Sequence, residues 1–201
     1  MDVSRDQREF LRHAVATLAY RGGKAVRDAP AGFESFRLSD STRTPAQILA
    51  HIGDLLAWFV SMADGTRQWH DSKPLPWKEE VARFFAQLAE VERFLASDAA
   101  IQSSAEKLFQ GPVADALTHV GQLTILRRAH GAPIRGENYF KADIVAGRVG
   151  EEQSKPKPRL NNSSMMRRLG SAFTAKYSRK PGMPEKAWFS SSPVARIPAS
   201  S

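Results

Sequence analysis

Between Ser4 and His130 the apolar residues recur at intervals of three and four, the period of helices buried along one side. No stretch of that region alternates convincingly at period two, as a half-buried strand would. Phe10, Ala14 and Leu18 mark a first helix, and its start is set at Ser4, whose hydroxyl is an N-cap with Gln7 at the third helical position, a capping box. The Gly22–Gly23 pair either ends this helix or is carried inside it, with "KAVRDA" continuing to Pro30. A loop follows to about Arg43. Thr44, Pro45 and Gln47 then combine a second capping box with proline at the first helical position. In the helix they open, Ile48, His51, Leu55, Trp58 and Met62 repeat as a core-facing seam, and Gly65 ends it. After the Pro-rich "WHDSKPLPW", the stripe of Trp77, Val81, Phe84, Leu88, Val91 and Leu95 predicts a third helix ending near Asp98. A fourth is predicted to start at Pro112, after Gly111, and to carry Val113, Leu117, Val120 and Leu123 before Gly131.

Four long amphipathic helices joined by modest loops imply an all-α fold, a four-helix bundle. Residues 133–150, "PIRGENYFKADIVAGRVG", are Gly-rich and predicted to be extended, wrapping one end of the bundle. The domain is therefore placed at 1–150. From about Lys155 the chain becomes rich in Ser, Pro, Lys and Arg with few spaced apolar positions, so 151–201 is expected to be a basic tail of low order. Within it, Met166, Leu169 and Phe173 with Arg167, Arg168 and Lys176 suit a short basic amphipathic helix for an anionic membrane or a partner, although a solvated tail is the plainer expectation.

Charge sharpens this division. The 201 residues carry a formal net charge of +8. Residues 1–150 hold 19 Lys and Arg against 18 Asp and Glu, whereas 151–201 hold 10 against 3. Phosphate binding needs charge on the binding face, so no nucleic-acid partner is predicted for the domain. Cysteine is absent, which excludes disulfides, thiolate ligands and cysteine nucleophiles. The charged amino terminus has no apolar h-region, and "ILAHIGDLLAWFVSMA" is interrupted by His51, Gly53 and Asp54, a poor membrane span; a cytoplasmic protein is expected.

The polar residues within the apolar stripes carry the candidate chemistry. His51 alone would be read as a hydrogen-bonded core histidine. The fourth helix changes this, because Asp115 and His119 lie one turn apart on one strip. At 100° per residue, Asp115 falls about 40° to one side of His119, while Val113, Leu117 and Val120 fall roughly 100–160° to the other. The pair thus sits at the flank of the apolar arc. A carboxylate and an imidazole at i, i+4 can reach one divalent ion, with His51 as a third ligand from a neighbouring helix. Two histidines and one carboxylate leave positions open for water or substrate, as in catalytic sites. The alternative is a buried Asp115–His119 hydrogen bond, or two residues at a wet helix edge, and spacing does not decide between them. Of the other histidines, His13 is a weaker candidate for the bundle interior, His70 lies in a loop and His130 closes the fourth helix.

Two stretches carry a family resemblance. "TPAQILAHIGDLLAWFVSM" resembles the second helix of the DinB/YfiT-like family, where a histidine follows an "L.H" pattern, and "ADALTHVGQLTILRR" resembles its fourth, typically "H...HxGQ". The match covers roughly residues 4 to 130 in helix count and order. It implies a bundle of up-down-down-up type, often dimeric, with a divalent metal held by one histidine of the second helix and two of the fourth. His51 matches the first ligand and His119 the last. The middle position falls on Asp115, a departure that leaves either a site of altered metal preference, since aspartate binds zinc, nickel, iron or manganese, or a site that has decayed. Characterised members include transferases and isomerases that use low-molecular-weight thiols such as bacillithiol or mycothiol. The resemblance therefore implies a metal-dependent thiol transferase acting on a small-molecule substrate, as a homodimer, while a metal-bound water on the same three residues could instead serve a hydrolase. In a chain without cysteine the thiol would come from a cofactor. Gln122, one turn beyond His119, and either Tyr139 or Asp143 from the wrapping segment are expected to support the ligands. The rival expectation is a non-catalytic binding or stress-response scaffold whose polar core no longer holds metal.

Overall fold

Ser4 and Thr44 each close a capping box, the hydroxyl accepting from the glutamine backbone and the glutamine side chain accepting from the cap backbone. They open α1 (Arg5–Val26) and α2 (Pro45–Asp64) at the positions the sequence predicts. In this computed structural model residues 3–158 are described. They are all-α, with no strand among the described residues. The third helix, α3 (Trp77–Ala96), follows the predicted stripe, with Phe84, Leu88, Val91 and Leu95 buried.

The Gly22–Gly23 pair lies inside α1. A Cβ at Gly22 would stand 2.6 Å from Phe84 Cζ, so the missing side chain is what lets the Phe84 ring press against α1. The fourth helix begins earlier than predicted. Ser104 caps a short α4 (Ala105–Leu108), a π-helical turn (Phe109–Val113) follows, and α5 (Ala114–Ala129) continues without a break. Gly111 and Pro112 read as a helix start because proline lacks a backbone donor; the π turn absorbs that proline instead.

Side-chain ties fix the helix directions. Arg8 at the start of α1 reaches the carbonyls of Leu95 and Ser97 at the end of α3, so these two run antiparallel. Arg83 near the start of α3 bonds the Ala50 carbonyl, and Gln102, just past α3, donates to Ala63 at the end of α2, so α2 and α3 run parallel. Gln7 meets Glu106, and Arg127 meets the Arg27 carbonyl, making α5 parallel to α1. Taking α1 as up, the order is up, down, down, up. Both α1 and α2 pack on α3 and on α5, which places α1 and α2 at opposite corners. The long loop between them, with its 3-10 turn at Phe33–Ser35, makes that diagonal crossing.

The buried face of α2 includes Ile48 and Leu55 of the predicted seam and is wider than that seam. Leu49, Ile52, Leu56, Phe59 and Ala63 are fully enclosed, whereas His51, Trp58 and Met62 are half-buried at its edge. Among the described residues α2 is also the helix long and apolar enough to cross a membrane, with mean hydropathy 1.3; 56% of that stretch is buried by its neighbours, as in a core helix.

Residues up to Lys157 belong to one compact unit, Met1–Lys157. The segment after α5 contains one 3-10 turn, Tyr139–Lys141, and is tied to α1 through Glu137. Tyr20 donates to Glu137 at 2.9 Å and Lys24 lies 2.9 Å from its other oxygen. Burial, and then the carboxylate beside it, push the Tyr20 phenol well above its usual range. The expected amphipathic segment around Met166, Leu169 and Phe173 lies outside the described residues.

Candidate metal centre

The buried arc of α5 is formed by Ala116, His119, Val120, Leu123, Leu126 and Arg127. His119 therefore lies within it and not at its flank, while Asp115, one turn earlier, stands at the edge with a half-exposed carboxylate. From the edge of α2, His51 faces the pair. Its Nε2 is 3.8 Å from Asp115 Oδ2, and His119 Nε2 is 3.4 Å from Asp115 Oδ1. The two imidazoles meet edge to face with centroids 4.7 Å apart. One ligand atom from each of the three residues lies within 4.8 Å of the others.

These distances fit a metal ion. Two ligand atoms, each about 2.0–2.1 Å from a tetrahedral zinc-like ion, stand about 3.4 Å apart. The His119–Asp115 separation already has that value, while His51 faces the other carboxylate oxygen at 3.8 Å, and one ligand atom from each of the three stays within 4.8 Å of the others. The donor set of two imidazoles and a carboxylate suits a first-row transition ion.

Gln122 orients the buried imidazole of His119. Its Oε1 lies 2.8 Å from His119 Nδ1. A carbonyl oxygen only accepts, so Nδ1 carries the proton and the lone pair is left on Nε2, the nitrogen facing Asp115. His51 is biased toward its neutral, ligating form. Burial first, then His119 and Arg43, lower its pKa, against opposing pulls from Asp115 and Asp54.

The Pro-rich loop between α2 and α3 brings Trp69 over the site, its indole edge to face with His51 at 5.7 Å and with Trp58 at 5.8 Å. A buried polar knot pins that loop. Asp54, 2% exposed, accepts from Ser72 N at 2.9 Å and from Ser72 Oγ at 2.7 Å, and pairs with Arg83. Glu80, fully buried, accepts from Leu75 N at 2.9 Å. Gly53 leaves room for the guanidinium, because a Cβ there would lie 2.9 Å from Arg83 Nη2.

Two cavities flank the centre. A largely apolar one of about 450 Å³ reaches His119, and a more polar one of about 320 Å³ reaches His51. Arg43 lines both.

The structure thus brings His51, Asp115, His119 and Gln122 together and leaves the other predicted candidates elsewhere. His13 is exposed on α1 and His70 is exposed in its loop. His130 packs edge to face on Phe33 and Phe36 at 5.8 and 5.1 Å. Tyr139 lies beneath Arg21 and Lys24, and Asp143 pairs with Arg148, so neither supports the ligands. Arg43, Trp69 and the Asp54–Arg83 pair went unpredicted because three-dimensional neighbours supplied by loops leave no periodic trace; only Asp54, a carboxylate inside an apolar helix, carried a signal. No protein-family model, curated protein or solved structure matches the chain.

Proposed function

We propose that the chain is a DinB-like divalent-metal protein that acts as a metal-dependent transferase or hydrolase on a small molecule. The observation that carries the reading is the convergence of His51, Asp115 and His119 from two helices, with Gln122 holding His119 in the ligating tautomer. The up, down, down, up order of the helices supports it, as does the departure at Asp115, since a carboxylate that still points between the two imidazoles retains a ligand's position.

Under this reading zinc, nickel, iron or manganese would be held by His51 Nε2, His119 Nε2 and an oxygen of Asp115. Such an ion supplies Lewis acidity and lowers the pKa of a water or thiol it meets. The remaining work belongs to the chain. Three protein ligands leave coordination positions for reactants. Asp115, half exposed, opens the centre toward solvent, whereas His119 and the apolar cavity keep the other side dry. Trp69 covers His51 and limits which molecules approach along α2. No cysteine competes with an incoming thiol.

The test is activity of protein reconstituted separately with zinc, nickel and manganese, assayed for ester and amide hydrolysis and for transfer of bacillithiol or mycothiol to an electrophile. A rate that requires metal and falls at least about a hundredfold in His119→Ala would support the reading. Equal rates for wild type, Asp115→Ala and His119→Ala would overturn it.

A further inference from the structure

The cavity beside His119 has a composition that defines its ligand. Ile48 and Leu126 form a buried apolar floor, and Leu38 and Ile125, 56% and 62% exposed, form an apolar rim. At about 450 Å³ it has the size of a small-molecule site and not of a macromolecular interface. Among its lining residues Arg43 is the sole formal charge apart from what His119 carries when protonated. None of the ion pairs among the described residues involves Arg43. Of the carboxylates that share the polar cavity with Arg43, Asp54 is held by Arg83 and Ser72 and Asp71 makes no ion pair with Arg43, while Asp115 faces the two histidines. Arg43 also immediately precedes the N-cap of α2, where the helix dipole adds to its attraction for an anion. An apolar chamber with one unpaired guanidinium at its edge and an imidazole of the metal centre in its wall matches a molecule with an apolar body and one negative group.

We propose that this cavity binds an amphipathic organic acid, an aryl or alkyl carboxylate, with its apolar body on Ile48 and Leu126 and its carboxylate on Arg43. Its use as the substrate pocket rests on the metal-centre reading. Binding of the acid itself does not, because none of the groups that recognise it requires a metal.

The experiment compares 4-butylbenzoate with the neutral 4-butylbenzamide by calorimetric titration into metal-free, full-length protein. The same samples are titrated separately with zinc. A charge-assisted hydrogen bond predicts that the acid binds about tenfold or more tightly than the amide. Arg43→Gln should bring that ratio to about one while leaving amide and zinc affinity intact; Arg43 is exposed, and far-UV circular dichroism checks the fold. Lys73→Gln, which removes the polar cavity's cation other than Arg43, should leave the ratio unchanged. Equal affinity for acid and amide, no binding of either, a preference that survives Arg43→Gln, or its loss in Lys73→Gln would each overturn the proposal. Zinc binding without acid preference would sink this inference alone, and acid preference without zinc binding would sink the metal reading alone.

Discussion

His119 is the residue on which the centre turns, because its buried ring has one nitrogen committed to Gln122 and the other free for Asp115. Removing that orienting bond should weaken metal binding without removing a ligand. Gln122→Ala is expected to lower zinc affinity about 10- to 100-fold in competition titrations against a chelating dye, and an unchanged affinity would contradict the assigned tautomer. The depressed pKa of His51 has a signed consequence. Its folded-state pKa lies below its unfolded value of about 6.5, so the unfolded chain binds more protons and stability falls as pH drops through that window. Urea unfolding of metal-free protein should show His51→Gln losing less stability than wild type between about pH 7 and 5. At this scale the sequence was informative where chemistry interrupts periodicity: an acid and a histidine one turn apart, and a histidine inside an apolar seam. It was silent on Arg43 and Trp69, which sit in irregular segments and reach the centre only after folding.

Among the elements, capping boxes made the starts of α1 and α2 legible to the residue, since each depends on a local side chain. The fourth helix was not legible in the same way. Its cap, Ser104, has Lys107 at the third position, so no reciprocal bond advertises it, and the π turn hides a proline where a helix normally begins. His119 lies inside the buried arc because that arc runs through Leu126, His119, Leu123, Ala116 and Val120, whereas Leu117, which the wheel places in the apolar arc, is half-buried. Close approach between elements yields two predictions. Gly22→Ala gains roughly 1 kcal/mol in helix propensity but forces a Cβ against the enclosed Phe84 ring, and overpacking of this kind costs about 1–3 kcal/mol. Because Phe84 is itself buried and cannot swing aside, the clash should win. A melting temperature lowered by a few degrees is the expected result, and a raised one would contradict the packing. Asp54→Ala leaves Arg83 without its partner and frees Ser72; a loss of about 3 kcal/mol is expected, accompanied by altered tryptophan fluorescence as Trp69 comes away from His51. Unchanged fluorescence would show that the knot does not hold the loop.

For the whole molecule, the fold class followed from counting amphipathic stripes, whereas the diagonal placement of α1 and α2 did not, because pairing depends on which faces meet and not on where helices start. The assembled bundle places His51 of α2 and the Asp115–His119 pair of α5 across an interface between adjacent corners, so an ion held by them would also cross-link the fold. Ligand binding to the native state alone adds about 2.7 kcal/mol at a hundred times the dissociation constant, which for a protein of this size is a rise of roughly 5–10 °C in Tm. Whether the three side chains hold an ion is decided by metal content, read by elemental mass spectrometry on untagged protein purified without chelators, with His51→Ala, Asp115→Ala and His119→Ala beside it. About one equivalent of a transition metal is expected in wild type, lost in each variant while the helical signal persists. No metal in wild type, even after reconstitution with nickel, zinc and manganese, or the same content in all four proteins, would contradict the metal-centre reading.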